Sequence, residues 1–305
     1  MRGRRRIRPT RASNESSVRT EALLPALSVL LLATACASAP ALRTEATAVS
    51  DSVLAPTTPV ASLPTLLQND VVEIASAPLR WSRSDWLKLG IGVAAVGGVA
   101  LLDHDLRNSV DGGSSDTTRS LAKAVGPFGA EYSFGVLGGF FLAGKLFDDE
   151  KSLNVAEDGL AASLIAAGAI TPLMKAAFGR RRPSQTTGIV EFGQGGASFP
   201  SGHTTQAFAV ASVVASHYHS IWVKLGAYGL AGLVGWSRME EKAHYASDVV
   251  AGALIGIVVG NAVVRLHESQ RFRISAAPTV NRGSAGVALT LGTSLDDVLR
   301  FFQSD

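Results

Sequence analysis

Hydrophobic and polar positions divide the chain into parts of very different character. The first 20 residues are rich in arginine and lead into an almost wholly apolar run at 23–33, followed by the small residues Ala35, Cys36 and Ala37. Charge, apolar run and small residues in that order form the pattern of an export signal. From 37 to 80 the composition turns to Ala, Ser, Thr and Pro with few charges, as expected of a flexible tether. Six uncharged, mostly apolar stretches follow, at 89–102, 132–144, 159–174, 204–223, 225–236 and 249–264. Their lengths and their alanine, leucine and glycine content predict helices rather than strands. The expected fold is all-α, a six-helix antiparallel bundle within residues 81–268. In the tail, 269–305, the mixture of Val, Leu and Thr with Asn281, Gly283 and Gly286 predicts a short β-hairpin over 280–292.

Glycines add a packing signal. Gly252, Gly256 and Gly260 place a smooth stripe on one face of the last helix, where a neighbour can approach closely. Gly90-Ile91-Gly92 does not read as a nucleotide-binding turn, because no third glycine follows at the required place and no βαβ pattern surrounds it.

Composition narrows the function classes. With 305 residues, 47% hydrophobic and 17% charged, the chain can bury a core. The formal charge of +3 is misleading: the seven arginines of the first 20 residues are offset before the apolar run only by Glu15 and Glu21, and the remainder carries −2. No basic footprint for nucleic acid remains. The sole cysteine, Cys36, excludes an internal disulfide framework, and six scattered histidines show no zinc-type pairing, so neither metal nor cofactor is expected. Leu32-Ala33-Thr34-Ala35-Cys36 is similar to a lipobox, with Ala33 where leucine is usual. Cys36 is thus a candidate for lipidation, and residues 1–36 form an export signal or a lipoprotein signal and anchor.

Three segments carry chemistry: Lys175 with Arg182-Pro183, Pro200-Ser201-Gly202-His203, and Ser237-Arg238 with His244 and Asp248. If the last four apolar stretches are consecutive antiparallel helices, these residues fall at alternating helix ends and starts, all at one end of the bundle. His244 and Asp248, four apart, share a helical face, so the carboxylate can orient one imidazole nitrogen and leave the other free to attack phosphorus. The Ser201-Gly202 backbone opens a helix whose amides favour an oxyanion. Arg182 and Arg238 offer planar forks for phosphate oxygens, Lys175 a point charge, and Ser237 a hydrogen bond. His203 is the candidate general acid.

This set resembles the type 2 phosphatidic acid phosphatase and vanadium haloperoxidase superfamily, whose pattern is K-x6-RP, PSGH and SR-x5-H-x3-D. Every defined position is met between Lys175 and Asp248. The resemblance implies a metal-free phosphatase working through a phosphohistidine on His244, with a lipid phosphate or a small phosphoester as substrate and a membrane as partner. Phosphatidic acid, isoprenoid diphosphate and lipid A are the lipid classes considered. An exported acid phosphatase of broad specificity, a vanadate-dependent haloperoxidase and a phosphate-binding envelope protein without turnover are the alternatives. Oligomeric state leaves no mark on the sequence.

Other residues read blandly. Arg180 and Arg181 are expected as helix-end cations or substrate-facing extras. His104, His217, His219 and His267 have no supporting partners nearby and are expected at the surface or at helix ends. No G-x-S-x-G context surrounds Ser237 to suggest acyl transfer. Trp86, Trp222 and Trp236 at helix ends suit an interfacial belt and a core equally.

The membrane signal is mixed. Five of the six stretches are shorter than the roughly 18 residues of a confident span, and the longest contains His217 and His219. Lys88, Lys145, Lys224 and Arg265 at helix edges can lengthen the spans by snorkelling. If 23–35 exports the chain and every later stretch crosses, the catalytic end faces the cytoplasm. Relatives acting on envelope lipids generally present it outside, so one of those premises fails; periplasmic exposure in a bacterial envelope is the expectation retained.

Overall fold

The computed structural model describes residues 63–186, 191–271, 274–281 and 284–291, with side chains over 67–186 and 191–269. The export signal, Cys36 and most of the tether lie outside the described residues. The 37–80 segment does not end as a tether: α1, Leu63–Ser76, is helical and places Asp70 in the core. After a 3-10 turn, α2 spans Arg83–Leu101, started by a capping box in which Ser82 and Asp85 exchange backbone contacts. Two short helices, α3 (Asp103–Gly113) and α4 (Asp116–Val125), lead to α5 (Glu131–Phe147).

The stretch at 159–174 is part of a longer rod. Helix α6, Glu150–Ser163, runs through a π-helical segment, Leu164–Ile170, into α7, Thr171–Phe178. Pro172 supplies a reason: it lacks an N–H and its ring crowds the carbonyl one turn back, so the ladder widens just before it. The 204–223 stretch is broken in two. Helix α8, Gly202–His217, stops at the polar run His217-Tyr218-His219-Ser220, and α9 occupies Ile221–Glu240. Helix α10 covers Ala246–Arg271. Strands β1 (Ile274–Asn281) and β2 (Ser284–Leu291) pair antiparallel, further upstream than 280–292.

Helix α8 is the hub. Ala209, Val210, Val213 and Val214 meet Val155, Ala162 and Ile165 of the α6 rod and Val259, Val263 and Val264 of α10 in one buried cluster. These side chains are small, so the helices approach closely. Parallel α8 and α10 come nearest: a Cβ on Gly252, Gly256 or Gly260 would lie 2.6 Å from Ser201 O, 2.5 Å from Thr205 O or 2.8 Å from Ala209 O. No side chain fits there.

The chain reverses direction repeatedly between two ends. At one end, Asp103 of α3 bonds Ser247 in the first turn of α10; at the other, Asp70 of α1 bonds His267 in its last turns. Twenty residues of α-helix separate those contacts, about 30 Å, the thickness of a hydrocarbon core. Among the described residues, three rods are long and apolar enough to cross a membrane: Arg83–Leu101, Glu150–Gln185 and Ala246–Ser269. Helix α2 buries none of its residues, and Trp86, Leu87, Leu89, Ile91 and Val93 stand exposed on it. The protein is membrane-integral, with lipid as the solvent for such faces.

Two of the histidines expected at the surface or at helix ends are buried in the core, although His217 does close α8. His267 lies between two carboxylates, with Nε2 2.8 Å from Asp70 Oδ2 and Nδ1 2.6 Å from Asp158 Oδ1, and His217 Nε2 stands 2.8 Å from Asp158 Oδ2. Partners 59, 109 and 197 residues apart in sequence leave no local signal. His104 and His219 are exposed, and so are Trp86 and Trp222, whereas Trp236 is half-buried.

The close approach of α8 and α10 has a direct test. Gly256→Val should cost roughly 1–3 kcal/mol through overpacking, seen as a clear fall in the melting temperature of the detergent-solubilised protein. Gly97→Val, on α2 where nothing lies within 4 Å of a Cβ, should melt like the parent. Equal melting of the two variants would contradict the packing.

Candidate active site

All three motif segments come to the Asp103–Ser247 end. Gly179 ends α7 in the left-handed conformation (φ 53°) and turns the chain into a loop that folds back on the helix. The loop is tied by Gly193 N to Phe178 O, Gln194 N and Gly196 N to Gly179 O, and Ser198 N to Arg180 O, at 2.8–3.0 Å. Gly196 is required at its place, because a Cβ would lie 2.2 Å from Arg180 O. Phe178, Phe192 and Phe199 stack edge to face with centroids 5.0–6.0 Å apart and seal the loop to the helix. Lys175 Nζ donates to Ala197 O from beneath the same loop. Arg182, Arg181, Gln185 and Gln194 to Ala197 line an open polar cleft of about 540 Å³.

Helix α8 begins at Gly202 without a side-chain cap from Ser201. Ser201 is fully buried, its hydroxyl accepts from Thr204 Oγ1 at 2.9 Å, and its amide donates to Asp248 O at 3.0 Å. The expected oxyanion contact at Ser201 is therefore corrected: its amide is taken, and the amides open to an anion start at Gly202 and continue through His203 and Thr204. Ser237 is corrected similarly. Its buried hydroxyl donates to Val234 O at 2.7 Å, within its own helix, and has no proton left for a phosphate oxygen.

Arg238 closes α9. Its guanidinium pairs with Glu241 and lies beside Gly126, while its buried Nε has no hydrogen-bond partner among the described residues. Its carbonyl accepts from Ala243 N and His244 N at 3.0 and 3.2 Å, turning the chain from α9 towards α10. This turn delivers His244 to the pocket. Buried His244 stands with Nδ1 3.6 Å from Asp248 Oδ2. That is an electrostatic contact, longer than a hydrogen bond. The expected hydrogen bond is thus not formed, because Oδ2 is already engaged by Ser198 Oγ at 2.5 Å and Tyr245 N at 2.9 Å.

The electrostatics follow from burial among cations. Burial pushes the His244 imidazole below its ordinary value against the pull of Asp248, and the charges of Lys175 and Arg182 reinforce the fall. His203 is lowered from 6.5 to about 4 by burial first, then by Arg238 and His244, with Glu131 opposing and Lys175 adding to the fall. Both imidazoles are thus held neutral beside a cationic pocket.

Sequence reasoning misplaced Arg180 and overlooked Ser198, Asp103 and Ser247. Arg180 is neither a helix-end cation in water nor a substrate-facing extra, for it is 1% exposed. It donates to Asp248 Oδ1 at 2.6 Å, Ser247 Oγ at 2.7 Å and Asp103 Oδ2 at 2.7 Å. Its carbon centre lies 4.0 Å from the Tyr245 ring centroid and 5.0 Å from that of Phe192. Arg181, by contrast, is exposed and 3.4 Å from Glu191. Among the described residues, no group of three His, Cys, Asp or Glu side chains is arranged to hold a metal ion.

Residues 159–272 match the PAP2 superfamily and contain every motif position. The chain is 41% identical to lipid A 1-phosphatase of Porphyromonas gingivalis over 88 residues, 28% of this chain and 18% of that protein. It is 31% identical to lipid phosphate phosphatase 1 of Arabidopsis thaliana over 134 residues, 33% of this chain and 41% of that protein. Lipid phosphate phosphatase 2 of the same plant is 28% identical over 154 residues, 39% and 52% of the respective chains. The chain thus spans about half or less of the length of these relatives. Two solved structures are similar: Aquifex aeolicus LpxE (24% identity, TM-score 0.41, 54% of this chain and 95% of that one), and a PAP2-type phosphatidylglycerolphosphate phosphatase from Bacillus subtilis (22%, 0.47, 62% and 98%).

If the two arginine forks receive phosphate, Arg182→Lys and Arg238→Lys should each weaken binding of inorganic phosphate about tenfold, since lysine keeps the charge but loses the fork. Calorimetric titration measures this. Unchanged affinity in both variants would remove the forks from the phosphate site.

Proposed function

We propose, for a chain whose residues 159–272 are a PAP2 superfamily domain, that it is a metal-independent phosphatase of membrane lipids, hydrolysing phosphomonoesters or diphosphates through a phosphohistidine. The observation that carries this reading is the convergence of Lys175, Arg182, Arg238, the uncapped start of α8, the buried His244 and the half-buried His203 at one end of a bundle with apolar outer helices. Lipid A, phosphatidic acid and isoprenoid diphosphates are the substrate classes that fit. The names of the relatives, a lipid A 1-phosphatase and two lipid phosphate phosphatases, support a lipid carrier.

In this mechanism the phosphoryl oxygens rest on the amides of Gly202, His203 and Thr204 and on the three cations. Arg238 exchanges Glu241 for phosphate. The Nε2 lone pair of His244 forms a bond to phosphorus while the bond to the leaving oxygen breaks, and His203 gives that oxygen its proton. Asp248 stabilises the positive charge that His244 acquires. In the second half, His203 takes a proton from water, the water oxygen bonds to phosphorus, the P–N pair returns to His244, and inorganic phosphate leaves. The cations and helix amides meet the charge on the phosphoryl oxygens, which is why no metal is invoked.

We place the pocket on the periplasmic face of a bacterial envelope membrane. Because the α1 contact with α10 lies at the opposite end, this orientation puts α1 on the cytoplasmic face and is incompatible with an N-terminal segment that carries α1 across.

The purified protein should release phosphate from phosphatidic acid or lipid A in mixed micelles in the presence of a chelator, and His244→Ala should abolish release. Turnover that needs a divalent metal, or that survives the substitution, would refute the mechanism. Faster turnover of a water-soluble ester than of any micellar lipid would refute the lipid preference.

A pH signature follows from His203. In the free pocket, burial and neighbouring cations keep its protonated form scarce above about 4. A bound phosphate dianion offsets those cations, so the imidazolium is stabilised in the complex and the value rises. The alkaline limb of kcat should therefore lie at higher pH than that of kcat/KM. Coincident limbs would argue against His203 as the acid.

A further inference from the structure

Arg180 lies outside the motif positions, yet it is the largest fully buried side chain of the described residues and makes three hydrogen bonds beside the pocket. Its Nη1 holds Asp248 Oδ1 and Ser247 Oγ; its Nη2 holds Asp103 Oδ2. Ser247 completes the ring by donating N–H and Oγ–H to the two oxygens of Asp103, at 2.9 and 2.6 Å. The guanidinium is also flanked by the Tyr245 and Phe192 rings, which fix its plane and shield it from water. Helix α3, the start of α10 and the residues after α7 are joined through one group.

We propose that Arg180 is the positioning residue of the nucleophile: it fixes Asp248 by Oδ1 so that Oδ2 is turned to Nδ1 of His244, and it cancels one of the two buried carboxylate charges behind that histidine. This rests on the phosphohistidine reading above. The consequence is electrostatic as well as geometric. Asp103, Arg180 and Asp248 together carry one net negative charge, matching the single positive charge His244 acquires when Nε2 bonds to phosphorus. With two uncompensated carboxylates the imidazole would hold a proton before substrate arrived and lose its nucleophilic lone pair. With none, the phosphorylated imidazole would lack its counter-charge.

The charged groups facing His244 are Asp248 of α10, Lys175 of α7, Arg182 after α7 and His203 at the start of α8; the Arg238 carbonyl of α9 accepts its amide proton. Lys175 and Arg182 disfavour the imidazolium and Asp248 favours it. Removing Arg180 strengthens the field of the carboxylates and stabilises the imidazolium. Since attack needs the neutral ring, the acidic limb of kcat/KM must then move to higher pH. Removing the charge of Asp103 has the opposite sign and moves the limb to lower pH.

The test is the pH profile of phosphate release from micellar lipid by full-length Arg180→Met, Arg180→Lys and Asp103→Asn, together with trapping of labelled phosphoryl on His244. The expected results are an acidic limb raised by about one pH unit and kcat lowered more than tenfold in Arg180→Met, an unshifted limb with lowered kcat in Arg180→Lys, and a limb lowered in Asp103→Asn. If Arg180→Met does not fold, the opposition between the other two variants decides. Limbs that coincide with the parent in Arg180→Met and Asp103→Asn, with phosphoryl still trapped, would overturn the role of Arg180 and leave the phosphohistidine standing. Absence of trapped phosphoryl in the parent protein would overturn both.

Discussion

The parallel approach of α8 and α10 is the constraint from which the pocket follows. Three glycines on α10 let its backbone press against the carbonyls of Ser201, Thr205 and Ala209, closer than any side chain would allow. In lipid the hydrophobic effect offers little reason for apolar helices to associate, so close van der Waals contact and satisfied polar groups must hold them together. Two helices that start at the same end bring two sets of first-turn amides there, and the carbonyl of Asp248 on one takes the amide of Ser201 on the other. The uncapped start of α8 and the first turn of α10, with Asp248, are thereby tied into one joint.

Buried charge is then distributed by position along that joint. At the pocket end, Arg180 stands between Asp103 and Asp248; at the far end, His267 stands between Asp70 and Asp158. Both arrangements place a nitrogen group between two carboxylates, and each draws a partner from an early helix, Asp103 of α3 in one and Asp70 of α1 in the other. Burying such sets is expensive, and losing one member leaves an uncompensated charge. Helices α1 and α3 are thus held by polar contacts rather than by a large apolar face, and the early part of the bundle is registered against α10 at two heights.

Much of this was legible in the sequence, and what was not has a physical reason. Lys175, Arg182, Gly202, His203, Arg238, His244 and Asp248 could be assigned to one end because helix starts and ends alternate, and the structure brings them together there. Their detailed bonding was not legible. Ser237 turns its hydroxyl back to Val234, Ser201 is spent on α10 and Thr204, and Asp248 is too fully engaged to bond His244. Such choices depend on which acceptor lies nearest after folding. Arg180 was hidden inside a run of three arginines, and only tertiary packing distinguishes the buried one from the exposed Arg181. Helix breaks were also misread: the 204–223 stretch is uncharged throughout, yet the polar run near its end closes one helix before the next begins. Asp70 fell in a segment whose composition suggested a tether, and its partner was 197 residues away.

The two polar contacts at the ends of α10 also act as a ruler laid across the bilayer. Asp70 marks one surface and Asp103 the other, with a separation close to the thickness of the hydrocarbon layer. If the substrate is a lipid, as proposed, it cannot reach the histidines from the leaflet beside α1, because its head group would be a full membrane away. In a bundle that crosses the bilayer, the compartment that receives α1 would therefore select, on the proposed lipid-phosphatase reading, which leaflet is depleted of phosphate, and an inversion of the chain would change the substrate pool without altering a single residue of the pocket.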